Sequence, residues 1–348
     1  MHKRAFRNNK SYSYDSDEVF TPNHEAVKEG PGVKSVWITP TPQLIRGYVE
    51  RWAQESGVQC VRVPGYWFEK KASNIAPGAS PQNGEKVIFS LHGGAYAKLS
   101  AHPDDLLSTI RHGLLEHTHT INRLLNLEYR LSRRASGKPV NPFPAALLDA
   151  IAGYNYLVNE AGFSPKDIIV LGDSAGGNLA LALVRYLVER RTSGDTDVPD
   201  VPSALLLLSP WADLEVREHG PGSSALRNRD SDYVDLTGGD MVTATSFFLG
   251  SRSFDETRSN RYISPASQSP AMGQVSFAGF PRTLIINGGA ESLQDQIHVL
   301  RKKMAADVGV ENVQLLEFPD AIHDFCAFTW HEPERTEALK MAAKWMEL

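Results

Sequence analysis

The pattern of apolar and polar positions divides most of the chain into short apolar runs and longer amphipathic segments. Runs of four to six mostly apolar residues, such as 87–91 and 204–208, have the length of buried β-strands rather than helices. On this basis we predict strands at 61–63, 87–91, within 121–129, and at 168–171, 204–208, 283–286 and 313–318.

Longer segments with helical character separate these runs. Helices are predicted at 44–52, 104–116, 144–160, 178–190, 239–249 and 293–306, with a closing helix from residue 332. Pro144 falls in the first turn of its helix, where a missing N–H is harmless. Because strands alternate with helices, the pattern predicts an α/β fold with a mostly parallel central sheet flanked by helices.

Two segments depart from this alternation. The first thirty or so residues are polar and have few apolar anchors, which is typical of a flexible or loosely docked arm. Residues 210–281 are rich in Gly, Pro, Ser and Asp, and we interpret them as an insertion over the sheet rather than as a separate domain. The predicted organisation is an N-terminal segment (1–60), a core in two parts (61–210 and 281–348) and an insertion (211–280).

Composition excludes several classes of function. The chain has 348 residues, 41% of them hydrophobic, and a formal net charge of −5, which offers no electrostatic attraction for nucleic acid or an anionic membrane. The basic start at 1–10 is not followed by an apolar run, and no stretch approaches the ~18 apolar residues of a spanning helix. We therefore expect neither a secretory signal nor stable membrane insertion. Cys60 and Cys326 cannot form a disulfide framework, so we expect a reducing, cytoplasmic compartment.

The first candidate for chemistry is Ser174, in the sequence Gly172-Asp-Ser-Ala-Gly176 between a predicted strand and a predicted helix. A serine on so sharp a turn projects above the sheet, and side chains two positions before and after it would collide, which explains both glycines. We predict that Ser174 is a nucleophile. The alternative is a glycine-rich turn that only packs a helix against the sheet.

A serine hydroxyl needs a base, and a base needs a carboxylate to orient it. His323 follows the strand at 313–318 and should lie at the same sheet edge as Ser174. Glu291 and Asp295 both follow the preceding strand. Glu291 is favoured because it is nearer the strand end, whereas Asp295 falls in the first helical turns, where the helix dipole alone favours a negative charge.

A second turn can complete the site. Residues 92–95, His-Gly-Gly-Ala, follow the strand at 87–91, and N–H groups freed by such a turn can point at a developing oxyanion. The N–H of Ala175 can join them. We expect His92 to support this loop by hydrogen bonds rather than to contact substrate. Three other histidines, His112, His117 and His119, cannot share one helical face, so we interpret them as surface residues and predict no metal site.

These motifs together resemble those of the hormone-sensitive lipase-like esterases, which have the α/β-hydrolase fold. The resemblance extends from about residue 86 to the C-terminus through the following motifs: Leu91-His-Gly-Gly-Ala-Tyr96, Glu128-Tyr-Arg-Leu131, Asn141-Pro-Phe-Pro-Ala-Ala146, Gly172-Asp-Ser-Ala-Gly-Gly-Asn-Leu179 and Ser209-Pro-Trp211. It implies the triad Ser174, Glu291 and His323. It also implies an oxyanion hole at Gly94, Ala95 and Ala175, with Gly93 as their neighbour.

Two residues depart from the family pattern: Ala95 replaces the third loop glycine, and Glu291 replaces the usual aspartate. The family also carries a lid, and residues 1–60 and 211–280 fit that role. We hypothesise that some apolar and aromatic residues of these segments line or cover a substrate pocket, while most pack the lid onto the sheet. The candidates are Leu44, Ile45, Tyr48 and Trp52 in the first segment, and Trp211, Tyr233, Phe247, Phe248 and Phe254 in the second.

The predicted function is that of a serine carboxylic-ester hydrolase, acting through an acyl-enzyme on a small or medium ester without a cofactor. The sequence does not separate hydrolysis from acyl transfer to another alcohol or amine, because only the second nucleophile differs. A non-catalytic small-molecule receptor on the same fold is disfavoured, since the plant gibberellin receptors that resemble this family lack the histidine that is present here as His323. The expected partner is a small-molecule ester. The sequence does not decide between a monomer and a homodimer.

Overall fold

An eight-stranded sheet forms the centre of the computed structural model, which describes residues 24–71, 73–217 and 219–348. The predicted N-terminal arm therefore falls largely on residues 1–23, which lie outside the described residues. The strands of the sheet are β1 (Lys34–Ile38), β2 (Val63–Glu69), β3 (Val87–Leu91), β4 (Arg123–Leu127), β7 (Ile168–Asp173), β8 (Ala204–Leu208), β9 (Arg282–Gly288) and β10 (Val313–Phe318). A separate hairpin pairs β5 (Arg133–Ala135) with β6 (Lys138–Val140).

The strand order is β1-β2-β4-β3-β7-β8-β9-β10. Strands β3, β4 and β7 to β10 are parallel, whereas β1 and β2 join the sheet antiparallel at one edge. Since the parallel strands end at a common edge, the turns that follow β3, β7, β9 and β10 are brought together there. This confirms the predicted fold class, a mostly parallel sheet flanked by helices.

Helices cover both faces of the sheet. They are α1 (Gly47–Ser56), α2 (Ser108–His117), α3 (Ala145–Asn155), α4 (Ala175–Thr192), α5 (Ser224–Arg227), α6 (Gly239–Leu249), α7 (Glu256–Ser259), α8 (Gln294–Val308) and α9 (Glu334–Met346). A π-helical turn, Tyr156–Glu160, extends α3. One apolar cluster buries α1, α3, α4 and α8 on one face, and a second buries α2 and α9 on the other.

Burial on both faces explains why the sequence pattern predicted the central strands correctly. In β8, Leu205 and Leu207 face one cluster while Leu206 and Leu208 face the other, so the whole strand is apolar. The predicted bounds of β3, β8, β10 and α6 agree with the structure.

The edge of the sheet was predicted less well. Strand β1 was missed because four of its five residues are only partly buried, and it lies inside the segment assigned to the lid. Strand β2 runs through Pro64 and Gly65, which signal a turn in the sequence. Glycine suits position 65 because a Cβ there would lie only 3.0 Å from the side chain of Leu125.

Candidate active site

Ser174 lies between β7 and α4 on a strained turn, with φ 52° and ψ −117°. Both flanking glycines are required by close backbone contacts. A Cβ at Gly172 would lie 2.2 Å from the carbonyl oxygen of Gly176, and a Cβ at Gly176 would lie 2.1 Å from the carbonyl oxygen of Leu91. This is the steric reason that the sequence analysis gave for the two glycines. The turn holds the serine side chain at the carboxyl edge of the sheet.

His323 lies in the loop after β10, and its Nε2 is 2.9 Å from Ser174 Oγ. The imidazole is buried, and burial lowers the pKa of His323 to about 3. At neutral pH the ring is therefore uncharged and can accept the hydroxyl proton of Ser174.

The two candidate carboxylates lie in different surroundings. Glu291 is fully buried, and its Oε2 accepts hydrogen bonds from Ser209 Oγ at 2.6 Å and from the N–H of Gly288 at 3.2 Å. The same oxygen is 4.0 Å from His323 Nδ1, which is longer than a hydrogen bond. Asp295 instead accepts the N–H of Ser224 at 2.8 Å at the start of α5. The structure therefore brings Glu291, and not Asp295, beside His323.

Burial also affects the charge of this carboxyl group. Removal from water raises the pKa of Glu291 well above its usual value, and the hydrogen bonds from Ser209 and Gly288 oppose that shift. Within the described residues, Glu291 Oε1 and His323 Nδ1 are both buried without a hydrogen-bond partner. Each atom thus lacks the partner that the other could supply.

A third carboxylate, Asp232, was missed by the sequence analysis because it lies in the irregular insertion. Its oxygens accept the backbone N–H groups of Tyr233 at 2.8 Å, His323 at 3.3 Å and Ser292 at 2.7 Å. Burial raises the pKa of Asp232 to about 6. This one side chain ties the insertion to both the Glu291 loop and the His323 loop.

The loop after β3 comes close to Ser174. The N–H of Gly93 donates to Asp173 Oδ2 at 2.7 Å and is therefore not available to a substrate oxygen. Gly94 has φ 108°, and a Cβ there would lie 2.1 Å from the carbonyl oxygen of Lys98. Ala95 has φ 53°, so the alanine that replaces a family glycine still adopts a backbone conformation that glycine prefers. Among the described residues, no backbone carbonyl accepts the N–H of Gly94 or Ala95.

His92 is buried behind this loop. Its ring stacks on Tyr129 with centroids 4.3 Å apart, and its Nδ1 is 2.7 Å from the carbonyl oxygen of Gly93. Tyr129 in turn donates its hydroxyl to the carbonyl oxygen of His92 at 2.5 Å. These contacts fit the expectation that His92 supports the loop.

A buried ion pair lies beneath the turn that carries Ser174. Arg111 of α2 and Asp173 are both fully buried, and the guanidinium Nη2 donates to Asp173 Oδ1. Arg111 also donates to Ser90 Oγ at 2.9 Å and to the carbonyl oxygen of Leu107 at 3.1 Å. Asp173 thus connects Arg111 to the Gly93 N–H. No signal in the sequence distinguishes Arg111 from the other arginines, so this residue could be found only in the structure.

A cavity of about 430 Å³ opens onto Ser174 and His323. The loop after β3 and residues 233–241 of the insertion form much of its wall. Of the aromatic residues proposed for the pocket, Tyr233 lines the cavity. Others pack elsewhere: Phe248 stacks on Tyr96 at 4.2 Å, and Trp52 of α1 contacts Phe143 and Tyr262 with centroids 5.2 Å from each.

Comparison with known proteins agrees with this geometry. A family model described as the alpha/beta hydrolase fold matches residues 88–327. The chain belongs to this family, in its hormone-sensitive lipase-like branch. The match spans the elements from β3 to the loop that carries His323.

The relatives of this α/β hydrolase include proteins named as esterases and acetyl-hydrolases. An acetyl-hydrolase of Streptomyces hygroscopicus is 28% identical over 76% of this chain and 76% of its own length. Esterase LipU of Mycobacterium tuberculosis is 28% identical over 78% of this chain and 81% of its own. A solved hormone-sensitive lipase from a metagenome library has a TM-score of 0.61 at 27% identity, covering 82% of this chain and 81% of that structure. These likenesses support carboxylic-ester hydrolysis for the chain.

Two kinds of feature are absent from the described part of the chain. Within residues 24–71, 73–217 and 219–348, no helix has the length and apolar character needed to cross a bilayer. Over the same ranges, His, Cys, Asp and Glu side chains do not gather in groups of three or more that could hold a metal ion.

Proposed function

We propose that this α/β hydrolase cleaves small or medium carboxylic esters through a covalent acyl-enzyme on Ser174. The observation that carries the proposal is the 2.9 Å contact between His323 Nε2 and Ser174 Oγ on the wall of a cavity. Nucleophile and base within hydrogen-bond reach are the core of such a mechanism.

In the first half-reaction, Ser174 Oγ attacks the acyl carbon while His323 Nε2 accepts the hydroxyl proton. The N–H groups of Gly94, Ala95 and Ala175 stabilise the developing oxyanion. The imidazolium then donates its proton to the leaving alcohol oxygen, and the ester C–O bond breaks. Water attacks the acyl-enzyme in the second half-reaction, with His323 again as the base, and releases the acid.

Glu291 is the orienting carboxylate in this proposal. A carboxylate beside Nδ1 holds the imidazole tautomer in which Nε2 is free to accept a proton, and it stabilises the imidazolium once that forms. The distance of 4.0 Å must shorten in the working enzyme, and Ser209 and Gly288 hold only the Oε2 atom. Glu291 Oε1 has no hydrogen-bond partner among the described residues, so in this proposal it accepts the Nδ1–H once the distance shortens.

The dimensions of the cavity support the proposed substrate size. A volume of about 430 Å³, partly covered by residues 233–241, lies within the range of sites for compact organic molecules. A covered site of this kind suits small or medium esters better than long-chain lipids presented at an interface.

The test combines a covalent probe with a substrate panel. We expect a fluorophosphonate to label the wild type at one site, with no labelling of Ser174→Ala, and p-nitrophenyl esters to be turned over with a preference for short or medium acyl chains. Running the panel with and without an acceptor alcohol separates hydrolysis from acyl transfer. Near-normal turnover by Ser174→Ala would refute the mechanism, and a wild type that neither labels nor turns over any ester would favour a binding role.

A further inference from the structure

One carboxyl group beside the reacting centre has no part in the mechanism above. Asp324 directly follows His323, is 3% exposed, and lines the cavity. Its Oδ2 is 3.3 Å from His323 Nε2, the same nitrogen that contacts Ser174 Oγ. Within the described residues, its Oδ1 is buried without a hydrogen-bond partner.

The fold itself makes little use of this side chain. Asp173 and Asp232 each accept backbone N–H groups and so join separate segments. The carboxyl group of Asp324 makes no such bond to a backbone N–H of the described residues and lies instead 3.3 Å from His323 Nε2. The backbone at Asp324, with φ 48° and ψ 35°, is one that glycine or asparagine also adopts readily. An apolar or glycine residue would avoid the cost of burying an unsatisfied carboxyl oxygen.

The position of Asp324 identifies the part of the substrate that it faces. His323 Nε2 passes its proton to the oxygen of the leaving alcohol, so a group 3.3 Å from that nitrogen adjoins the alcohol side of the ester. Burial and the neighbouring carboxyls of Asp173 and Glu291 raise the pKa of Asp324, while Arg111 opposes the shift. A carboxyl group that keeps its proton can both donate and accept a hydrogen bond, as a substrate hydroxyl can.

We propose that Asp324 is the polar end of an alcohol subsite, and that the enzyme prefers esters whose alcohol carries a free hydroxyl on the carbon next to the ester-bearing carbon. Monoesters of vicinal diols and polyols are this class. The substrate hydroxyl takes the place of the missing partner of the buried carboxyl group. The inference rests on the proposed ester hydrolysis at Ser174 and deepens it by naming the substrate class.

Matched acetates test the subsite. The substrates are 2-hydroxyethyl acetate, 2-methoxyethyl acetate, which keeps the oxygen but lacks the donor, and propyl acetate. The enzymes are the wild type, Asp324→Gly, Asp324→Asn and the control Asp320→Asn, an exposed carboxylate of the same loop that does not line the cavity. Fluorophosphonate titration normalises each rate to the concentration of folded, reactive sites.

We expect the wild-type kcat/KM to favour the hydroxyethyl ester over the methoxyethyl and propyl esters. In Asp324→Gly this preference should fall about tenfold, the effect of one buried hydrogen bond. In Asp324→Asn it should stay within about threefold of wild type, because an amide can also pair with a hydroxyl. The Asp320 control should keep the wild-type preference, since that side chain lies outside the cavity.

Two results would overturn the inference. One is an Asp324→Gly preference within twofold of wild type. The other is an equal loss on all three esters, which would show that Asp324 acts on the imidazole and not on the alcohol. If p-nitrophenyl acetate is hydrolysed in a Ser174-dependent way in either case, the proposed function survives. If no ester is hydrolysed by the wild type, the proposed function fails and the subsite falls with it.

Discussion

The buried pair of Arg111 and Asp173 allows a quantitative test of what stabilises the turn that carries Ser174. Neither side chain is exposed to solvent, and Asp173 also holds the N–H of Gly93. Replacing Arg111 by methionine leaves the Asp173 carboxylate buried without its cation. Breaking a buried pair in this way costs roughly 3–5 kcal/mol of folding free energy. Asp173→Asn keeps an oxygen for Gly93 but leaves the guanidinium unpaired, so a loss of similar size is expected.

The double variant is the informative one. Arg111→Met with Asp173→Asn contains no unpaired charge, and replacing a whole buried pair is often close to neutral. We therefore expect it to be more stable than either single variant, with a favourable coupling of at least about 2 kcal/mol. Urea unfolding followed by far-ultraviolet circular dichroism at pH 7 measures the midpoints and slopes from which these free energies follow.

A second buried pair, Arg130 with Asp149, is the matched control. Its cycle should show coupling in stability, but its variants should label with a fluorophosphonate at the wild-type rate. Arg111→Met should label about tenfold more slowly, since Asp173, without the guanidinium that fixes its other oxygen, holds Gly93 and the proposed oxyanion donors next to it less firmly. Additive losses in the Arg111 and Asp173 cycle, or unaltered labelling of Arg111→Met, would refute this account.

Three further predictions concern individual residues. Ser174→Ala and His323→Ala should each lower kcat by about 10³-fold or more, and the double variant should be little worse than either, because members of one catalytic unit are not additive; single-turnover ester kinetics check this. Glu291→Gln should lose far more activity than Asp295→Asn, with KM little changed, and the reverse ranking would move the orienting role to Asp295. Burial raises the pKa of Glu128 from 4.5 to about 7, so the folded state binds a proton that the unfolded state has lost; the stability of the wild type relative to Glu128→Gln should therefore fall by about 3 kcal/mol as pH rises from 4.5 through 7, which pH-dependent urea melts of the two proteins measure.

Local sterics explain how much of the site the sequence predicts. The glycines around Ser174 are required by backbone contacts within one turn and with the adjacent strand, so their spacing is visible in the sequence. The central strands can likewise be predicted from the sequence, because burial on both faces makes them continuously apolar. Chain order then leads to His323, since a loop after a late parallel strand ends at the same sheet edge as Ser174.

Contacts between distant segments decide the rest. From the sequence, Glu291 is favoured over Asp295 but not decided, because the choice depends on which carboxylate reaches the His323 loop, which lies beyond the following helix and strand. In the structure Asp295 instead accepts the N–H of Ser224. Arg111 is separated from its partner Asp173 by 62 residues, so no spacing rule points to it. The burial of Asp324 is likewise a property of the assembled cavity. The sequence alone determined the fold class and the chain order of Ser174 and His323, whereas only tertiary packing decided which charged groups surround them, because pairing and desolvation depend on distances that the chain acquires on folding.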